Sequence, residues 1–461
     1  MKAFIHEAEL PFPVRRVWEW HMRPGALERL LPPWEDARIV SRRGGIDDGG
    51  RIHLRVRRGP IRVDIRVRHT DFEPERHFAD EQSSGPLGPC VHRHEFEPRG
   101  TDACLVRDRI EYGRPERGIR ALASSTIEGE MKRYFRFRAR RIGHDLARHS
   151  AYDGPPLRVA VTGSGGFIGS ALSHFLTTGG HEVVPIVRTP PDRERGEVHW
   201  DPSGGRIEGE RLDGLDAVVH LAGESISGGR WTPARKREIW RSRVEGTRLL
   251  VGALNQLRDP PRTLVSASAI GYYGDRGSER LAEGSGPGVG FLPDLCREWE
   301  AEALKARSSG TRVVALRTGL VLSPAGGALG TMLLPFKLGV GGRLGSGRQF
   351  VSWIDHDDMV ALVHHALVTP SLGGPVNATS PYPVANATFT TRLGRALRRP
   401  TLLPVPSLGV RGVLGEMGRA LLLESARVLP DAALESGFRF EFGGVDESLA
   451  HQLGRATPPD R

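Results

Sequence analysis

LRVAVTGSGGFIGSALSHFLTTGGHEVVPIVR, residues 157–188, reads as a strand, a glycine turn, a helix and a second strand. Residues 159–161 are a short apolar run, long enough for a buried parallel strand. The turn is Thr162, Gly163, Ser164, Gly165, Gly166, Phe167, Ile168, Gly169. Gly163 permits a tight exit from the strand, Gly166 lets backbone approach a pyrophosphate with no Cβ in the way, and Gly169 lets a helix pack close to the sheet. The helix at 167–177 carries Ile168, Leu172, Phe175 and Leu176 on one face. Its N-terminus offers free N–H groups and a positive dipole end to an anion. Gly179 and Gly180 stop it, and apolar residues 183–187 form the next strand. A glycine triplet held between a strand and a helix, with a second strand in place, predicts a dinucleotide site. Arg188 ends that second strand. An acidic residue there would bond the ribose 2′-hydroxyl of NAD, whereas arginine suits the 2′-phosphate of NADP. Arginine is abundant throughout the chain, so NADP is the expectation and NAD the alternative.

The chain has 461 residues, enough for two or three domains with full cores. No apolar run approaches the length of about 18 residues that a membrane span needs, so no membrane association is expected. The N-terminus, MKAFIHEAELPF, has acidic residues where a secretory signal needs an apolar stretch, which points to a cytoplasmic protein. Cys90, Cys104 and Cys296 are scattered and lack CxxC spacing, so neither a disulfide framework nor a zinc site is implied. The net charge is +10. Residues 1–150 hold 30 basic and 23 acidic side chains, against 35 and 32 in the remainder, so the excess lies in the first part. Basic and acidic residues are interleaved there rather than blocked, and no nucleic-acid partner is expected.

Residues 3–10 alternate as a strand, and 13–19 and 24–30 read as short helices with Trp18, Leu27, Leu30 and Leu31 facing inward. Residues 51–56 and 61–69 alternate apolar side chains with arginine, the pattern of a half-buried antiparallel sheet, which 91–97 and 103–112 continue. A long helix at 128–146 offers Met131, Phe135, Phe137 and Ile142 to a core. A curved sheet gripping one long helix encloses a cavity. His92 and His94 lie two apart on a strand and so share a face, the spacing of a metal pair. No third ligand is evident, so they read as surface or cavity-lining histidines, and no metal is expected. The order of elements, the helix running from Pro13 to Trp18, Gly85-Pro86 before the His92/His94 strand, and the final helix together resemble the START-like, polyketide-cyclase (SRPBCC) helix-grip family. That resemblance implies a hydrophobic ligand in the N-terminal domain.

SAYDGPP, residues 150–156, is a polar Pro/Gly linker. After Arg188 the chain reads as loop to about residue 214. DAVVHL, residues 216–221, is the next buried strand, and it ends in Ala222-Gly223. Thr232 as N-cap and Pro233 at the first helical position open a basic helix at 233–257, with Arg235, Lys236, Arg237, Arg241 and Arg243. These charges are either a solvated face or contacts to cofactor phosphates or an acidic substrate. A strand at 263–266 leads into SASAIGYYG, residues 266–274; a helix at 293–307 and a strand at 313–317 follow. Strands alternating with helices specify an α/β fold, a Rossmann-type doubly wound parallel sheet.

Residues 157–445 resemble the extended short-chain dehydrogenase/reductase superfamily, in its nucleotide-sugar epimerase branch. The likeness runs through Thr162–Gly169, Asp216–Gly223, Ser266–Gly274, Arg317-Thr318-Gly319 and the segment from Phe350 to Asp358. Gly229-Arg230-Trp231-Thr232, Tyr272-Tyr273-Gly274, Trp299-Glu300 and Gly437-Phe438-Arg439-Phe440 narrow it to an atypical epimerase-family group. The resemblance implies a cofactor along Gly163 to Gly169, Arg188, Leu221, Ala222, Gly223 and Ser266. It implies a small-molecule substrate between that face and a smaller C-terminal lobe. The expected layout is a START-like domain at 1–149, a dinucleotide domain at 157–376 with lobe insertions near 320–347, and a DUF1731-like lobe and tail at 377–461. Such proteins often form a homodimer through helices flanking the sheet.

One departure matters. The superfamily's chemistry uses Ser or Thr, a Tyr as acid/base, and a Lys one helical turn on that lowers the tyrosine pKa. Ser268 fits the first position. Aligning on Trp299-Glu300-Ala301-Glu302 puts Asp294 at the tyrosine and Glu298 at the lysine. Three readings follow: Tyr272 or Tyr273 acts as proton donor, Asp294 and Glu298 form an acid/base pair on one helix face, or the site binds dinucleotide without turnover. Lys236 is the candidate for the missing cation. Cys296 reads as buried rather than nucleophilic, and Asp355-His356-Asp357-Asp358 reads as a helix start rather than a metal site. The expected function is NADP-dependent oxidoreduction or epimerisation of a small organic substrate, sugar-nucleotide-like or hydrophobic. The alternative is a non-catalytic NADP-dependent sensor.

Overall fold

Period-two patterning through residue 112 and strand–helix alternation after residue 157 build two different sheets. The computed structural model describes residues 2–85, 89–113 and 122–455. Pro86 of the Gly85-Pro86 pair lies outside the described residues. The chain divides into two compact units, Met1–Asp153 with Thr177–Gly180 and Gly154–Leu176 with His181–Arg461.

The first unit is a seven-stranded antiparallel sheet of β1 (Lys2–Leu10), β2 (Asp36–Arg43), β3 (Arg51–Arg58), β4 (Ile61–Glu73), β5 (His77–Ser84), β6 (Cys90–Pro98) and β7 (Cys104–Tyr112). Their order is β1-β7-β6-β5-β4-β3-β2. Helices α1 (Val14–Met22) and α2 (Ala26–Leu30) follow β1, and α3 (Leu122–Ser150) closes the unit. The core joins Trp18 and Trp20 of α1, Phe78 and Phe96 of the sheet, and Ile142 and Leu146 of α3. Leu27 and Leu31 are only half-buried. Leu30 is buried as expected, and so is Arg29, which makes a buried bidentate pair with Asp145 of α3, at 2.8 and 2.5 Å. Burial pushes the Asp145 carboxyl up, but the Arg29 guanidinium outweighs it and holds the group well below its ordinary range. A pocket of about 20 Å³, bordered by His6, His21, His94, Asp108, Phe135 and Arg138, has room for one water molecule.

The second unit is an eight-stranded sheet. Its strands are β8 (Arg158–Thr162), β9 (Glu182–Val187), β10 (Val198–Asp201), β11 (Arg206–Ile207), β12 (Ala217–His220), β13 (Thr263–Ala269), β14 (Arg312–Thr318) and β15 (Gly374–Ala378). The order is β11-β10-β9-β8-β12-β13-β14-β15, all parallel except the β10–β11 hairpin. That hairpin occupies part of the stretch expected to be loop. Val198 and Trp200 point the same way and are buried, enough to hold a four-residue strand. Val159 and Val161 pack on one face with Leu172, Phe175 and Leu176 of α4 (Phe167–Thr178). Ala160 turns to the other face, with Leu250 and Leu254 of α6 (Gly246–Leu254) and Ala303 of α7 (Phe291–Leu304).

The basic helix is shorter than its pattern suggests. α5 (Pro233–Trp240) passes through one π turn, Arg241–Glu245, before α6 resumes. Its start is as read: Thr232 Oγ1 accepts from the Arg235 N–H at 3.2 Å, and Pro233 takes the first position. The lobe gathers α8 (Gly327–Lys337), α10 (Asn386–Leu397), α11 (Ser407–Gly418) and α12 (Val445–Gln452). Between α8 and α10 lies α9 (His356–Val368), packed on the main sheet. Leu329, Leu333, Phe389, Leu393 and Leu449 form much of the lobe's core. Asp355 caps α9 by accepting from the Asp357 N–H at 2.8 Å, and it also takes Ser448 Oγ at 2.6 Å and Gln452 Nε2 at 2.9 Å. Asp358 accepts the N–H groups of Glu441 and Phe442, both at 2.9 Å. The Asp355–Asp358 motif therefore ties the C-terminal segment to the sheet. Among the described residues no helix is long and apolar enough to cross a membrane.

Candidate functional site

The chain order around β8 sets the site. From β8 the chain builds outward through β9 and β10 on one side, then crosses back to β12, β13 and β14 on the other. The crevice beyond the carboxyl ends of β8 and β12 is the switch point, where open α/β sheets bind ligands. The glycine turn lies there. Gly163 has φ of +69°, a conformation that favours glycine. The Gly163 carbonyl accepts the Gly166 N–H at 2.8 Å. A Cβ on Gly169 would lie 2.1 Å from that same carbonyl oxygen, so the helix start and the turn touch backbone to backbone. A Cβ on Gly165 would meet nothing within 4 Å. The Phe167 ring stacks on His356 at 4.7 Å between centroids.

Thr162 joins the two central strands. Its Oγ1 accepts the N–H groups of Leu221 and Ala222, each at 3.1 Å, and bonds His220 Nδ1 at 2.8 Å. His220 Nε2 reaches Thr247 Oγ1 at 3.0 Å. Burial lowers the His220 pKa from 6.5 to about 4, with Arg243 adding to the effect, so the ring is neutral. The unfolded chain takes up this proton near pH 6.5, whereas the folded chain resists until about 4. Stability is therefore complete above 6.5 and falls as pH drops toward 4, by about 3 kcal/mol from this residue. Denaturant titrations at pH 7 and pH 4 of the wild type and His220→Asn will show the variant with the shallower pH dependence.

Arg188 follows β9, is exposed, and forms no ion pair among the described residues. Leu221 and Ala222 are half-buried and Gly223 is exposed. Ser266 is buried inside β13, with its hydroxyl 3.3 Å from the Ala267 carbonyl.

Of the residues expected to be catalytic, Ser268 and Tyr273 share one buried network, whereas Lys236, Asp294 and Glu298 lie apart from it. Ser268, at the end of β13, donates to Glu300 Oε1 at 2.6 Å. Glu300 of α7 is gripped by Arg317 of β14, Nε to Oε1 at 2.9 Å and Nη2 to Oε2 at 2.8 Å. Arg317 Nη1 also bonds the Tyr273 hydroxyl at 3.0 Å, and that hydroxyl donates to Asn377 Oδ1 at 2.7 Å. Tyr273 is fully buried, and burial raises its pKa. It braces the β13–β14–β15 edge rather than facing the crevice. Tyr272 is half-buried, with the Arg317 guanidinium 3.5 Å from its ring centroid.

Lys236 bonds Glu416 of α11 at 2.7 Å and stands over Phe291, so its charge is committed to the lobe. Asp294 and Glu298 lie on the outer side of α7, 51% and 44% exposed, and share Arg297 at 3.4 and 3.8 Å. They lie on a solvent-exposed helix face. Cys296 is buried, and burial pushes its thiol up to about 12, so it is no nucleophile.

Sequence reasoning gave Glu300 no chemical role and left Arg243 as one of several basic-helix charges. Glu300 is the carboxylate that fixes Ser268. Arg243, on the π turn, places its guanidinium 3.2 Å from where a Gly223 Cβ would be and 5.2 Å from the Trp299 ring centroid. Its hydrogen bonds are weak, 3.4 Å to the Ile239 carbonyl and 3.5 Å to Ser242 Oγ, and it forms no ion pair among the described residues. Burial lowers its pKa. A π turn inside a helix often marks a functional position, and this one carries a desolvated, unpaired cation.

A doubly wound sheet with this turn at its switch point defines a dinucleotide-fold protein of the extended short-chain dehydrogenase/reductase type. The chain belongs to the epimerase family. The profile of the NAD dependent epimerase/dehydratase family matches residues 159–379, a domain of unknown function (DUF1731) matches 405–452, and the polyketide cyclase / dehydrase and lipid transport family matches 10–128. An epimerase family protein of Mycobacterium bovis is 44% identical over 297 residues, covering 64% of this chain and 98% of the relative. The crystal structure of a nucleoside-diphosphate sugar epimerase from Corynebacterium glutamicum is similar across both units. Its TM-score is 0.82 at 32% identity, covering 98% of this chain and 90% of that one. The human epimerase family protein SDR39U1, crystallised with NADPH, has a TM-score of 0.58 at 36% identity and covers 65% of this chain and 98% of its own.

Proposed function

We propose that the second unit binds NADP(H) in the switch-point crevice and uses it for oxidoreduction or epimerisation of a small organic substrate. The observation that carries this reading is Arg188. It is an exposed guanidinium with no ion pair among the described residues, one residue beyond the strand that pairs with the glycine-turn strand. Arginine at that position suits a 2′-phosphate. The turn fits the rest of such a cofactor: a Cβ at Gly165 would meet open space, and the N-terminus of α4 opens toward an anion. The relative crystallised with NADPH supports the phosphate-bearing form. When bound, the nicotinamide supplies hydride transfer.

The chain's own residues then divide the remaining tasks. Arg243 holds a negatively charged group of substrate or cofactor against Gly223. Tyr272 gives or takes a proton at Oη, because Tyr273 is committed to Asn377. Ser268, fixed by Glu300, orients the substrate oxygen.

The second reading is a dinucleotide-responsive sensor without turnover. It is favoured by the Asp294 and Glu298 that stand in the Tyr and Lys positions, both facing solvent. A fluorescence titration with NADPH and NADH, on the wild type and Arg188→Asp, tests the shared core of both readings. The wild type is expected to prefer NADPH, and the variant to lose about 10–100-fold in NADPH affinity, the worth of a charged hydrogen-bonded contact. Equal affinity for the two nucleotides would remove the NADP assignment, and binding of neither would remove the dinucleotide site. NADPH consumption with carbonyl compounds or nucleotide sugars, lost in Tyr272→Phe, separates the enzyme from the sensor.

A further inference from the structure

The concave face of the first sheet is unusually polar for a domain interior. His6 of β1, His69 of β4, Asp80 of β5, His92 and His94 of β6 and Asp108 of β7 occupy one region of it. Strand register brings them together: His69 faces Asp80, Asp80 faces His92, and both His6 and His94 face Asp108. Neighbouring positions on the same sheet hold Phe78, Phe96 and Val106, so apolar side chains fit this space. Burying imidazoles and carboxylates instead is unfavourable unless each is paired or binds an ion. The reading of His92 and His94 lacked a third donor; the hairpin between β5 and β6 supplies it as Asp80.

The hydrogen bonds decide which ring atoms are free. Asp108 Oδ1 lies 3.0 Å from His92 Nε2 and 2.8 Å from His94 Nδ1. That oxygen receives an N–H from His92 Nε2, which leaves His92 Nδ1 as a lone-pair nitrogen, while His94 Nδ1 stands in ion-pair contact with it. His94 Nε2 is 3.4 Å from Asp80 Oδ2. One donor atom from each of Asp80, His92 and His94 lies within 4.8 Å of the other two. Ligands about 2.0–2.2 Å from a tetrahedral zinc ion stand about 3.3–3.5 Å apart, so the Asp80–His94 separation is already that of two ligands. Metal-bound histidines typically give their second N–H to a carboxylate, which fixes the ring and raises its basicity. Asp108 does this for His92 and stands in ion-pair contact with His94. His69 Nδ1 lies 2.5 Å from Asp80 Oδ1, an ion-pair contact at the third donor without hydrogen-bond geometry.

We propose that Asp80, His92 and His94 form a binding site for one divalent first-row transition-metal ion of the zinc type, with Asp108 as the residue that orients the His92 imidazole and contacts that of His94. Two nitrogens and one carboxylate oxygen leave a fourth position for water, the donor set of open rather than purely structural zinc sites. The cavity of about 20 Å³ beside His94 and Asp108 has room for that water. The rival occupant is a proton: His94 as an imidazolium between Asp80 and Asp108 satisfies the same two carboxylates.

The test uses the full-length, untagged chain, stripped with chelator and titrated with zinc by calorimetry and with cobalt(II) as a visible probe. Expected are one ion per chain, a Kd of micromolar or tighter, and cobalt absorption typical of four nitrogen and oxygen ligands. Asp80→Asn and His92→Gln should each weaken binding at least 100-fold. Asp108→Asn, which touches no metal, should weaken it by about 10–100-fold. NADPH titration of the same variants reports on the second unit, and far-ultraviolet circular dichroism reports on folding. No stoichiometric binding by the wild type overturns the proposal whatever the variants do. Binding that survives Asp80→Asn and His92→Gln overturns it as well, because the ion then sits elsewhere.

Discussion

Glu300→Ala will lower the stability of the parallel-sheet unit by about 3–5 kcal/mol, the range for removing one partner of a buried ion pair. The Arg317 side chain is 4% exposed and that of Glu300 10%, so water does not reach in to compensate. With the carboxylate gone, Arg317 keeps Tyr273 and the Glu283 carbonyl, at 3.0 Å each, but no negative charge. Ser268 loses its acceptor at the same time. Urea denaturation followed by tryptophan fluorescence measures the effect, since Trp299 neighbours Glu300 in sequence and is itself buried. Glu300→Gln keeps the shape and one acceptor and will lose less, about 1–3 kcal/mol. The double variant Glu300→Leu with Arg317→Met removes both charges and will be more stable than Glu300→Ala, because no lone guanidinium stays buried. A loss below about 1 kcal/mol for Glu300→Ala would mean the pair behaves as a solvated one.

This network also marks where sequence reading stops. The glycine turn was legible because its requirements are local: a positive φ at Gly163 and a backbone contact within six positions. The strands before Ala222 and from Thr263 were legible as elements because short buried strands alternate with helices, although they end at His220 and Ala269 rather than at the expected 221 and 266. The cluster around Ser268 joins residues 17, 32, 44 and 104 positions apart, and no periodicity records such pairings. The search for a Tyr-x-x-x-Lys pair therefore led to the residues of α7 that face solvent. Glu300, on the buried side of the same helix, is two positions beyond Glu298. The β10–β11 hairpin was missed because strands of four and two residues fall below the length at which alternation is visible. Asp80 was missed as a neighbour of His92 because the pairing register of two strands does not show in the period-two pattern of either one.

The largest effect on ligand binding will come from a single methyl group. In Gly169→Ala the new Cβ would sit 2.1 Å from the Gly163 carbonyl oxygen, 2.8 Å from its carbon and 3.1 Å from Ser164 Cα. All three are backbone atoms, so no side chain can rotate aside and the turn itself must open. Gly163 has little room to retreat: its own Cβ position is 3.2 Å from the Ala222 nitrogen and the Leu221 carbonyl carbon. Those two residues are held in turn by Thr162 Oγ1. Displacement of about 1 Å therefore passes into both walls of the crevice. NADPH affinity is expected to fall about 100-fold, on the scale that such misplacement imposes at a preorganised site. The unit stays folded, with a destabilisation of about 1–3 kcal/mol from overpacking. Gly165→Ala is the matched control. Its Cβ meets no protein atom within 4 Å, so it leaves stability unchanged. If that variant also loses NADPH while its urea midpoint is unaltered, the methyl group obstructs the nucleotide directly, and the pyrophosphate lies over Gly165. If Gly169→Ala binds NADPH as the wild type does, the contact between helix and turn is not what shapes the pocket, and the dinucleotide must be held elsewhere along the sheet.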